Sequence, residues 1–150
     1  DAFLPDLAGS LNNLATLRQD LGQIDDALPL FQRALAITGD VYGPDHPVVA
    51  DRLNNLALAL QDLGRAGEAL PLFQRALAIT ETVYGPDHPV VATRLNNLAL
   101  ALRTLGRAGE ALPLFERALA IAETVYGPDH PEVATRLNNL ALALQDLGRA

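Results

Sequence analysis

The chain has 150 residues, no cysteine and a formal net charge of −7, and all eleven of its basic residues are arginine. Cysteine-ligated metals, disulfides and thiol nucleophiles are thereby excluded, and the negative charge argues against nucleic-acid phosphate or anionic membrane as a partner. The apolar runs are too short for a membrane span and no leader-like start is visible, so the cytoplasm is the expected compartment. An arginine-only, alanine-rich composition points to a GC-rich bacterial source or to a designed sequence.

Taken in order, the chain is a succession of helical stretches separated by glycine and proline. Pro5 suits the start of a helix over about 5–21, and a second follows near 24–40. Within the first helix, Arg18 stands where later units have Leu60 and Leu102. Gly43-Pro44-Asp45-His46-Pro47 then interrupts the chain, with Pro47 fitting a first helical position and His46 or Asp45 the cap. From Val48 to Leu63, leucines 53, 56, 60 and 63 recur at helical spacing with Ala50 and Ala57 beside them. Gly64 ends that run as a glycine beyond a helix terminus should. A second helix follows from about Ala66 to Val83, burying Ala69, Leu72, Phe73, Ala76, Leu77 and Ile79. Pro71 lies near its second turn, removes one backbone hydrogen bond and implies a slight bend or a late start. The same pair recurs at about 89–105 and 108–125, and a last helix covers 131–147. About 70–80% of the residues should be helical, well above the usual third.

The stretches are copies. Leu-Asn-Asn-Leu-Ala begins at Leu11, Leu53, Leu95 and Leu137, a step of 42 residues each time. Residues 43–84 and 85–126 differ only at Asp51/Thr93, Gln61/Arg103, Asp62/Thr104, Gln74/Glu116 and Thr80/Ala122. The repeats are 1–42, 43–84, 85–126 and a first-helix half repeat at 127–150. Such a period makes the chain an array in which each unit packs on its neighbours.

The order Leu53, Leu56-Ala57, Leu60, Gly64, Ala69, Phe73 and Ala76 resembles the tetratricopeptide repeat. The stretches His46-Pro47-Val48-Val49-Ala50 and Leu53-Asn54-Asn55-Leu56-Ala57 are more narrowly similar to the repeats of kinesin light chains and of bacterial signalling ATPases of the NB-ARC or STAND type. The resemblance implies an all-α, right-handed α-solenoid of antiparallel helix pairs, a superhelix whose first helices line a concave groove for extended peptides.

Nothing in the chain converges as an enzyme requires. Its only serine is Ser10, and His46, His88 and His130 each sit in the same turn, one repeat apart, too far from one another to share a metal. They read as helix-start residues. No catalytic residue, metal or cofactor is expected, and the Gly-Pro-Asp-His turn has neither the glycine run nor the lysine of a phosphate loop.

The informative residues lie on the first helices, opposite the leucine face. Two successive mid-helix asparagines in every unit are poor for helix propensity and need a reason. An amide carries a donor and an acceptor and can hold a peptide backbone whatever its side chains. The candidate peptide-binding face is therefore a ladder of Asn12, Asn13, Asn54, Asn55, Asn96, Asn97, Asn138 and Asn139. Leu58, Leu100 and Leu142 run along it as an apolar strip, and Gln61 and Arg103 give unit-specific contacts. One asparagine of each pair is assigned to ligand and the other to ties between helices. Arg103 is the only base on this face, so a clamp for a C-terminal carboxylate is not supported. The expected function is a non-enzymatic protein- or peptide-binding scaffold. The alternatives are a self-associating array and a designed or recently duplicated repeat with no selected ligand. Leu137, Ala141, Leu144 and Leu147 at the uncapped last helix favour tail-to-tail self-association, because Arg18 makes the other end less welcoming.

Overall fold

The turn between repeats is built from four side chains and one backbone reversal. Tyr42 closes a helix, Gly43 turns the chain at φ 90°, and Pro47 opens the next helix at a position where its missing N–H is no loss. His46 is the cap, its Nδ1 accepting the Val48 N–H at 3.1 Å. This bond places the ring proton on Nε2. The imidazole also stacks on Tyr42, with centroids 4.5 Å apart. His88 on Tyr84 and His130 on Tyr126 repeat both contacts. The turn is tied down from the side by the second helix, where Arg75 donates to the Pro44 carbonyl and Arg117 to that of Pro86.

The turn inside a repeat uses a different device. Leu63 ends the helix, Gly64 takes φ 77°, and the Gly64 and Arg65 N–H groups bond to the Gln61 and Leu60 carbonyls at 2.9 and 2.8 Å. Two orphan carbonyls of the last turn are thus satisfied by a left-handed residue that only glycine adopts without strain. The next helix opens with an ion pair of its own, Arg65 with Glu68, matched by Arg107 with Glu110. The hydrogen bonds from these arginines hold both carboxyls below the usual glutamate range.

The computed structural model describes residues 3–148. Among them are seven helices and no strand: α1 (Phe3–Asp20), α2 (Ile24–Tyr42), α3 (Pro47–Asp62), α4 (Ala66–Tyr84), α5 (Pro89–Thr104), α6 (Ala108–Tyr126) and α7 (Pro131–Asp146). The helices hold 123 of the 150 residues, slightly more than the sequence suggests, because each second helix continues to its tyrosine. Pro71 delays nothing. It lies within α4 on the exposed side, and α4 begins five residues earlier at Ala66.

The chain divides into two compact units, residues 1–79 and 80–150, with the division inside α4. In the first, α1 packs on α2 and α2 on α3. Val49, Ala50 and Leu53 of α3 meet Ala76 and Ile79 of α4, with Leu35 and Leu72 packed against them. Phe31 and Phe73 are no more than 2% exposed, each flanked on its helix by fully buried alanines, so that the ring fills the space beside a close helix approach. In the second unit α5 packs on α6 and α6 on α7, with Phe115, Val91 and Leu95 fully buried. Burial of each such side chain contributes roughly 1.5–3 kcal/mol.

Candidate peptide-binding face

At 100° per residue, Asp51, Asn55, Leu58 and Asp62 fall on one line along α3. The equivalent positions are Asn13, Thr16 and Asp20 on α1, Thr93, Asn97, Leu100 and Thr104 on α5, and Thr135, Asn139, Leu142 and Asp146 on α7. Every one of these residues is exposed or half-buried, whereas the leucines on the other side of α3 and α5 are buried.

The asparagines divide by position. The first of each pair is enclosed: Asn12, Asn54 and Asn96 are buried, and only Asn138 on α7 is exposed. The second is more open, with Asn55, Asn97 and Asn139 half-buried and Asn13 exposed. In the first unit the Asn55 amide donates to Asn12 Oδ1 at 3.1 Å, joining α3 to α1. In the second unit Asn139 donates to Asn96 Oδ1 at 2.7 Å, joining α7 to α5. Within each unit, then, the second asparagine of one first helix donates to the first asparagine of the preceding first helix. Among the described residues, these bonds leave the N–H2 groups of Asn12 and Asn96 and the carbonyl oxygens of Asn55 and Asn139 without a further partner.

A second row of ties runs parallel to the first. Gln19 donates to Asp62 at 2.7 Å. In the second unit, Arg103 donates through Nε to Asp146 and through its terminal nitrogen at 3.3 Å. This bond raises the Arg103 pKa above the ordinary arginine value, ahead of the opposing effect of lost hydration. Arg103, expected from sequence to give a unit-specific contact, is here paired with a carboxylate of the following first helix. Gln19, Asp62 and Asp146 are the residues the sequence reading leaves out of these ties. Their signal is a separation of 43 residues, one more than the period.

Among the described residues no group of three or more His, Asp, Glu or Cys is placed to hold a metal. No described helix is long and apolar enough to cross a membrane.

The tetratricopeptide repeat model matches residues 6–81, 49–124 and 95–150, which together take in nearly the whole chain. The chain belongs to the tetratricopeptide repeat family. Among solved structures, this tetratricopeptide chain is similar to the nearly identical repeats of a kinesin light chain of Podosopora anserina. The identity there is 29% and the TM-score 0.89, over 97% of this chain and 69% of the other. It is also similar to BtubC (BKLC) from P. vanneervenii, at 26% identity and a TM-score of 0.88, covering 97% of this chain and 58% of that one. No curated protein sequence matches it. The kinesin-light-chain likeness expected from the His-Pro and Leu-Asn-Asn-Leu-Ala stretches is thus found, and the fold is the all-α repeat fold of this family.

Proposed function

We propose that this chain is a non-enzymatic, cytoplasmic tetratricopeptide module that binds a protein through an extended peptide segment laid on the open face of its first helices. The observation that supports this reading is the half-used amide ladder. Each Asn–Asn bond uses one donor and one acceptor and leaves the carbonyl oxygen of half-buried Asn55 or Asn139 beside the amide of the more enclosed Asn12 or Asn96, the donor and acceptor a peptide backbone complements. Leu58, Leu100 and Leu142, half-buried beside the ladder, offer apolar contact to a ligand side chain. The family consists of protein-interaction repeats in general, which agrees with such a role.

The test separates binding from scaffolding through Asn13, whose side chain is exposed and makes no hydrogen bond to a described residue. Peptides selected from a displayed library against the intact chain are titrated into the wild type and into Asn13→Ala, Leu58→Asp and Asn55→Ala. Asn13→Ala should weaken peptides held on the first unit by about 1 kcal/mol, near fivefold, with no fall in melting temperature. Selected peptides that bind all three variants as well as the wild type would place the ligand elsewhere and end this reading.

A further inference from the structure

The two units carry the same tie with different charge. In the first, the Gln19 amide donates to Asp62 at 2.7 Å; in the second, Arg103 donates to Asp146. Gln19 and Arg103 hold one repeat position, and Asp62 and Asp146 another, so only the charge of the donor changes. Arg103 cancels the charge of Asp146, whereas Gln19 leaves that of Asp62 intact. Asp62 accepts through Oδ2, and its Oδ1 has no partner among the described residues. Its helix α3 has repeats on both sides in the sequence, so Asp62 is not opened by an end of the array. Asp20, at the same repeat position on α1, is exposed and pairs with no described residue.

The arginines of these turns are directed elsewhere. Arg18 donates to Gln23, a neutral partner, and Arg65 pairs with Glu68. Within residues 18–26 and 61–68 of the first unit, Asp20, Asp25, Asp26, Asp62 and Glu68 stand against Arg18 and Arg65. In the corresponding stretches of the second unit, 103–110 and 145–148, Glu110 and Asp146 are balanced by Arg103 and Arg107. The first unit thus has a surplus of negative charge at this edge, and the second has none. The near-identical repeats point the same way. Their three first-helix differences, Asp51 to Thr93, Gln61 to Arg103 and Asp62 to Thr104, each make the later repeat more positive.

The surplus adjoins the amide ladder. Asn12 is only 7% exposed, yet its N–H2 group donates to no described residue, and its bond to Asn55 sets it beside the open face. Asn12 and Asp20 are two turns apart on α1, about 12 Å along the axis, the span of three to four extended residues. We infer that the first unit takes a basic peptide, an extended segment held by the unused amide groups of Asn12 and Asn55 with an arginine or lysine side chain on Asp62 and Asp20. This rests on the peptide-binding reading of the open face and adds the charge of the ligand to it. The amides accept a backbone of any sequence; the carboxylates select by charge, attracting basic segments and repelling acidic ones. The net charge of −7 draws the same class of ligand toward the chain.

The probes are peptides selected from a displayed random library against the intact chain. Binders held on the first unit, recognised by their weaker binding to Asn13→Ala, should be enriched in arginine and lysine over the input library. Asp62→Asn keeps an acceptor for Gln19 and removes only the charge, and it should weaken these binders about two- to fivefold, as should Asp20→Asn. Binding to the wild type should weaken as ionic strength rises from about 0.01 to about 0.15 M, where the screening length falls from about 30 to about 8 Å. The double variant Asp20→Asn, Asp62→Asn should lose most of that salt dependence. Glu116→Gln removes an exposed carboxylate from α6 and should change no affinity. Circular dichroism should show the same helix content in every variant. A library that yields no binder, or only binders indifferent to Asn13→Ala, Leu58→Asp and Asn55→Ala, ends the peptide-binding reading and this inference together. Binders that respond to Asn13→Ala but lack basic enrichment, keep their affinity in Asp62→Asn, or lose as much in Glu116→Gln overturn this inference alone.

Discussion

The bond between Asn139 and Asn96 can be isolated energetically, because the two residues lie on different helices and each can be truncated without touching the leucine core. Asn96 is 8% exposed and Asn139 half-buried, with 2.7 Å between the amides. A neutral, partly shielded hydrogen bond of this kind contributes about 1 kcal/mol net. Each single change to alanine mixes that loss with a gain in helix propensity of up to roughly 0.7 kcal/mol, so the single variants should fall by only a few tenths to about 1 kcal/mol. The cycle of Asn96→Ala, Asn139→Ala and the double variant cancels the propensity term. It should return a coupling of about 0.5–1.5 kcal/mol, or a few degrees in melting temperature for a chain of this length. The assay is urea unfolding followed by helical circular dichroism, read as a midpoint shift at constant slope. A coupling below about 0.3 kcal/mol would mean that the ladder holds no energy between repeats and that the asparagines need another explanation.

His88→Ala should destabilise the second unit by about 1 kcal/mol through loss of the cap, and His88→Asn should recover most of it because an amide oxygen can accept from the same N–H; thermal unfolding of both variants decides. Two glycines three residues apart should respond oppositely. Gly106→Ala, at φ 75°, should cost about 1–2 kcal/mol, whereas helical Gly109→Ala, whose added methyl meets nothing, should gain up to about 1 kcal/mol. Ala122→Thr should stabilise the chain by up to about 1 kcal/mol, because Arg136 Nε is buried without a partner while its counterpart Arg94 bonds to the Thr80 hydroxyl. Unchanged or lowered stability in Ala122→Thr would show that Arg136 does not reach that position.

The helices and turns were legible because their signals are local. Pro47 and Gly64 act on their own backbones, and the leucines of one face need only the pitch of a helix to be sorted. The candidate face was legible for the same reason, since Asn55 and Leu58 lie opposite Leu53 and Leu60. What the sequence did not disclose was how the repeats hold one another. Comparing units in alignment sets Arg103 beside Gln61, 42 residues apart, and makes the change look like a change of ligand contact. The physical partner is one residue further along, at Asp146, because neighbouring first helices are offset where their side chains meet. The same offset hid the Asn55–Asn12 bond behind two identical dipeptides.

The left-handed glycines at the helix ends fall at every twenty-first residue, from Gly22 to Gly148. A gain or loss of 42 residues in phase therefore adds or removes one complete outward-and-return excursion of the backbone and rejoins the chain at an equivalent turn. Because residues 43–84 and 85–126 differ at only five positions, such a change exchanges one turn for its near copy. The number of repeats is thus a variable that the backbone geometry leaves free.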